Sequence, residues 1–139
     1  MEIITKITDQ PISLEIKQSP YLDMGSEFIF HGRVRELEHG EPIVALEYEH
    51  YSGMAENELQ ILAEKTTQKF PISHLSCVHR IGKIPVGEIS LQVIIWSKHR
   101  SEGIDAMTWF ISQLKKDVPI WKNAILMDGR VIPSSCDHH

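Results

Sequence analysis

At 139 residues, with 42% apolar and 24% charged side chains, the chain has the size and composition of one soluble domain. It is long enough to bury roughly two-thirds of its unfolded surface without a disulfide or metal, and its composition excludes disulfide-scaffold, collagen-like and disordered chains. The net charge of −5 is unevenly spread, with 13 acids against 4 bases in residues 1–64 and 6 acids against 10 bases in residues 65–139; no basic stripe suits a nucleic acid, while a small anionic ligand fits the cations of the second half.

No apolar run approaches the ~18 residues of a membrane span, and Met1-Glu2-Ile3-Ile4-Thr5-Lys6 lacks the basic-then-apolar plan of a signal peptide. Cys77 and Cys136 stand far apart in no metal or redox spacing. They fit a reduced interior, and the expected compartment is the cytoplasm.

Strand and helix signals alternate along the chain. Residues 26–35 predict a strand with Phe28, Phe30 and Val34 on one face, and a turn at 38–42 leads into a second strand at 43–50, so the two are expected to form a hairpin. Ala55, Leu59, Leu62, Ala63, Thr66 and Phe70 recur at helical spacing, with Ser52 as the expected N-cap and Pro71 beyond the end. Residues 72–81 and 88–97 predict two strands joined through 82–87; Ile89, Leu91, Val93 and Ile95 alternate as in a half-buried strand. A second helix is expected over about 101–116, with Ile104, Met107, Ile111 and Leu114 as its apolar stripe. Lys115 and Lys116 complement its dipole and Pro119 stops it. Asp128-Gly129 predicts a C-terminal hairpin. The order β-β-β-α-β-β-α-β-β describes a mixed α+β domain over residues 1–133, followed by a frayed tail at 134–139.

Four stretches place cations beside glycine, proline or aromatic residues: 30–35, 78–82, 97–100 and 114–122. Taken singly, each reads as a solvated edge. Lys115 and Lys122 are seven apart, but Pro119 forbids a continuous helix, so one is expected at a helix end and the other on the next strand. His99-Arg100 stands where a strand gives way to a helix, and free backbone N–H groups there would join Arg100 in attracting a phosphate or carboxylate. Cys77, His79 and His99 have no zinc-ligand spacing, and neither a P-loop, a dinucleotide fingerprint nor Gly-x-Ser-x-Gly occurs.

Read together, Phe30-x-Gly32-x-Val34-Arg35, Leu46-Glu47-Tyr48-Glu49-His50-Tyr51-x-x-Met54-Ala55, Val78-His79-Arg80-Ile81-Gly82, Ser97-x-His99-Arg100 and Leu114-Lys115-x-x-Val118-Pro119-Ile120-Trp121-Lys122 closely resemble the large, catalytic subunit family of molybdopterin synthase. The resemblance covers about residues 26 to 132. It implies an α/β-hammerhead-type mixed sheet domain with two main helices, assembled as a homodimer. Each copy would bind a small ubiquitin-like sulfur-carrier subunit ending in a Gly-Gly thiocarboxylate, giving a 2:2 heterotetramer. The implied activity is that of a sulfurtransferase converting cyclic pyranopterin monophosphate to molybdopterin in molybdenum cofactor biosynthesis, with no metal or cofactor needed for this step. By match to the family, Lys115 and Lys122 are the catalytic lysines. Arg33, Val34, Arg35, His99 and Arg100 line the anionic substrate, with Lys115, Lys122, Asn123 and Ala124 completing its site. Where the family places a glutamate two residues after the second lysine, able to orient it, this chain has Ala124. The alternative implied by that departure is a non-catalytic homologue that binds a Gly-Gly tail.

Overall fold

The computed structural model describes residues 2–14 and 21–134. In chain order the elements are β1 (Glu2–Thr8), β2 (Ser26–Arg33), β3 (Leu37–Glu38), β4 (Glu41–His50), α1 (Met54–Lys69), β5 (Ile72–Arg80), β6 (Gly82–Pro85), β7 (Ile89–Ser97), α2 (Arg100–Asp117), β8 (Ile120–Leu126) and β9 (Val131–Pro133). The α+β class, the two helices and the C-terminal hairpin expected from the sequence are all present.

One sheet runs β1-β5-β7-β2, with β1 parallel to β5 and the other pairs antiparallel. Both helices pack on one face of it. Leu59 and Leu62 of α1, Leu75 and Cys77 of β5, Val93 and Ile95 of β7, and Phe110 and Leu114 of α2 form the main core. The interior β7 is covered on both faces, so Ser90 and Gln92 are buried alongside Leu91 and Val93; the strand is more enclosed than its alternation predicts.

The second sheet runs β3-β4-β8-β9, and β6 also pairs with β4. Two connections differ from expectation. The segment 82–87 is not merely a linker, because Gly82–Pro85 leaves the first sheet and adds a strand to the second. The strand at 26–33 does not form a hairpin with β4. Instead β3 does, through His39 and Gly40 at φ 52° and 78°, the paired left-handed residues of a tight hairpin turn. Ile43, Leu46, Ile84, Ala124 and Leu126 join Val34 in a smaller second core.

Both helices are also adjusted. The residue capping α1 is Gly53 at φ 87°, not Ser52, and the Glu56 carboxylate accepts its backbone N–H at 2.9 Å. The buried stripe of α2 is Gly103, Ala106, Phe110 and Leu114; Ile104 is exposed, while Met107 and Ile111 flank the core. The chain is held through Ser134, which the sequence assigns to the tail: it is buried and its N–H donates to the Lys122 carbonyl at 3.0 Å. Residues 135–139, with Cys136, lie outside the described residues.

Candidate active site

Where the two sheets meet, a cleft of about 390 Å³ opens between the end of α2, the start of β8 and the end of β2. Lys115 reaches it from the last turn of α2 and Lys122 from the third position of β8. Pro119 breaks the helix between them, so seven residues of sequence become two elements facing one space. Arg33 and Arg35 line the same cleft from the end of β2 and the connection to β3. Arg33 donates to the Gly87 carbonyl at 2.8 Å, whereas Arg35 is largely solvated.

Among the described residues, four cations therefore share the cleft with one acid. Glu38 is only 3% exposed, accepts the Ser134 hydroxyl at 2.7 Å, and stands 3.6 Å from Arg35 and 4.0 Å from Lys122. Burial pushes its carboxyl up, but the Ser134 hydrogen bond and the charges of Lys122, Arg35 and His39 outweigh burial and hold it below the usual carboxylate value. His79 also lines the cleft, edge-on to the Tyr48 ring with centroids 5.1 Å apart. Its Nδ1 lies 2.8 Å from the Arg80 carbonyl, so that nitrogen carries the proton and Nε2 is left as an acceptor. Burial pushes the imidazole down to about 4, and Lys115 and His50 add to this against the opposing pull of the carbonyl. It is neutral at physiological pH. Neither Glu38 nor His79 was assigned to the site from the sequence. Glu38 was hidden because it lies 84 positions from Lys122 and is brought in by the His39-Gly40 turn.

The other expected residues are placed differently. Val34 and Ala124 are buried in the second core and offer the cleft no polar group of their own. Asn123 donates to Glu49 at 3.4 Å, sharing that carboxylate with the Trp121 indole N–H at 2.9 Å. His99 and Arg100 are exposed at the first turn of α2, about 22 Å along the helix from Lys115. Within one chain the structure does not bring them to the cleft. Cys77 is sealed in the main core.

The family profile described as "MoaE protein" matches residues 7–117. The chain belongs to the MoaE family. The human molybdopterin synthase catalytic subunit is 39% identical over 101 residues, 73% of this chain and 54% of that protein. Its counterpart from Pyrococcus abyssi is 36% identical over 105 residues, covering 76% and 71%. The chain spans about half to two-thirds of the length of the mammalian relatives it matches. Among solved structures, molybdopterin synthase from Staphylococcus aureus superposes with a TM-score of 0.80 at 33% identity, covering 91% of this chain and 93% of that one. A complex of subunits 1 and 2 of molybdopterin-converting factor from Helicobacter pylori shares the fold at a TM-score of 0.68 and 21% identity, over 84% of this chain and 76% of that one. The stretch matched to MoaE contains Arg35, His79, His99, Arg100 and Lys115. Lys122 lies beyond it, and its presence in the cleft rests on the geometry alone.

Proposed function

We propose that this chain is a molybdopterin synthase catalytic subunit, a sulfurtransferase acting on cyclic pyranopterin monophosphate with the thiocarboxylate of a small ubiquitin-like carrier as sulfur donor. The observation that carries the reading is the convergence of Lys115 and Lys122 on one cleft that also holds Arg33 and Arg35. Substrate and donor are both anions, and cations in a partly enclosed space offset their mutual repulsion. A thiocarboxylate that gives up its sulfur leaves as a carboxylate only after taking an oxygen from water, so each transfer moves protons. Lys115 is assigned to the carrier's acyl terminus, where an amine can shuttle a proton or trap the acyl group. Lys122 is assigned to the charge that develops on the substrate.

The separation of His99 and Arg100 from the cleft supports a homodimer in which each copy lends this pair to the site of the other. A 2:2 assembly with the carrier follows from two such sites. The test is direct: the chain, a thiocarboxylated carrier ending in Gly-Gly and the pyranopterin substrate are mixed, and the dithiolene product is sought. Product from the wild type, with at least a hundredfold less from a Lys115→Ala variant that still folds and binds carrier, is expected. Carrier binding without any product would instead support the non-catalytic reading, and near-normal turnover by Lys115→Ala would remove that lysine from the mechanism.

A further inference from the structure

Lys122 has no carboxylate two residues on, since position 124 is an alanine buried in the second core. The cleft nevertheless contains one. Glu38 comes from β3, on the far side of β4 from β8, and is more deeply buried than any of the cations around it. We propose that Glu38 is the positioning residue of this active site, holding the Lys122 ammonium, and through it the catalytic charge, against the cleft.

Three observations converge on this role. Oε1 of Glu38 faces Lys122 Nζ at 4.0 Å and Arg35 at 3.6 Å, while Oε2 is fixed by the Ser134 hydroxyl at 2.7 Å. The two oxygens therefore divide the work, one anchoring the carboxylate and the other facing cations. Ser134 is itself anchored, because its N–H donates to the carbonyl of Lys122. Backbone and side chain thus close a ring from Lys122 through Ser134 to Glu38 and back to the Lys122 ammonium. A solvated surface acid would gain nothing from this arrangement. A carboxylate 3% exposed is retained only where its charge is matched, and the matching cations are those that line the cleft. The groups facing it are Ser134, Lys122, Arg35 and His39, and its charge also acts on the Tyr48 hydroxyl, whose pKa is raised by burial and by Glu38. Glu38 touches no reacting atom in this reading; it acts by fixing where Lys122 points. The role rests on the synthase reading above.

The test is Glu38→Gln, which keeps the volume and an acceptor for Ser134 but removes the charge. With carrier and pyranopterin supplied, kcat is expected to fall about tenfold, in line with coupling inside a shared ion-pair network. KM for the pterin and the melting temperature are expected to stay within about twofold and two degrees of wild type, since packing is preserved. Carboxyl-carbon NMR supplies a readout independent of turnover: the Glu38 titration midpoint should rise when Lys122 is replaced in Lys122→Met. Unchanged kcat in Glu38→Gln, a loss explained by a lowered melting temperature, or a Glu38 midpoint indifferent to Lys122→Met would each overturn the proposal. A wild-type chain that makes no product overturns the synthase reading, whereas an active wild type with an indifferent Glu38→Gln variant overturns the role of Glu38 alone.

Discussion

His79 shows how a single buried side chain links the site to the pH response of the fold. Its imidazole is neutral and pushed down to about 4 by burial, from an ordinary value of 6.5. Between those values the unfolded chain binds a proton that the folded chain refuses, so stability is complete above about pH 6.5 and is lost as pH falls toward 4. His31 and His74 are lowered chiefly by burial as well and act in the same direction. Replacing the imidazole by a neutral amide in His79→Gln should flatten the melting temperature against pH across that window. The measurement is a thermal melt at half-unit intervals from pH 4 to 8; a slope identical to wild type would mean that His79 does not resist protonation. The sequence displayed this histidine in Val78-His79-Arg80-Ile81-Gly82 but could not say that it is sealed, because the Tyr48 ring that covers it comes from another sheet. Lys115 and Lys122 were legible by contrast, since Pro119 alone dictates that one ends a helix and the other begins a strand. Glu38 was not, because nothing local to Leu37-Glu38-His39 marks an acid as buried.

At the scale of elements, periodicity located β2, β4, β5, β7 and both helices, but it gave β1 (Glu2–Thr8) no range and misjudged how β2 and α2 face their neighbours. The stripe of α2 was read from its large apolar residues, whereas the helix turns a glycine toward the sheet. A Cβ on Gly103 would stand 2.5 Å and 2.6 Å from the Phe28 ring and 2.6 Å from the Ser97 hydroxyl. That close approach rotates the helix so that Ala106, Phe110 and Leu114 follow Gly103 inward and Ile104 is left outside. Large side chains announce a core in a sequence, but the closest contacts are made by the smallest ones. Gly103→Ala would relieve the helix of a poor helix former, worth about 1 kcal/mol, yet it must displace an aromatic ring and a hydroxyl whose oxygen already donates to the His99 carbonyl at 2.7 Å. Overpacking wins that comparison, and a net loss of about 1–3 kcal/mol in urea unfolding is expected. A gain in stability would show that the ring moves freely. The short β6 escaped notice for a similar reason: four residues bounded by Gly82 and Pro85 carry turn chemistry, and only pairing with β4 makes them a strand.

Across the whole molecule, charge and topology together decide what one copy can do alone. The acidic half supplies Arg33, Arg35 and Glu38 to the cleft, and the basic half supplies Lys115 and Lys122, so the site exists only once both halves have folded together. His99 and Arg100 remain outside, at the opposite end of α2 from Lys115. Helix geometry fixes that distance at about 22 Å, far beyond the reach of an arginine side chain. If the pair serves the anionic substrate, a second copy must present it, and in a twofold dimer each site then draws Lys115 from one chain and Arg100 from the other. Two inactive variants should therefore complement one another. Lys115→Ala removes one half of every site in its own homodimer and Arg100→Ala the other half. In a mixed dimer one site receives both defects and the second receives neither. Random reassortment makes half of the dimers mixed, so an equimolar mixture unfolded and refolded together should regain about a quarter of wild-type turnover. Assayed separately, Lys115→Ala should show at least a hundredfold loss and Arg100→Ala at least a tenfold loss, the charge-assisted contact of an arginine to a phosphate being worth about 1.5–3 kcal/mol. A mixture no more active than the mean of its components would place each complete site within a single chain and would remove Arg100 from the chemistry of the cleft.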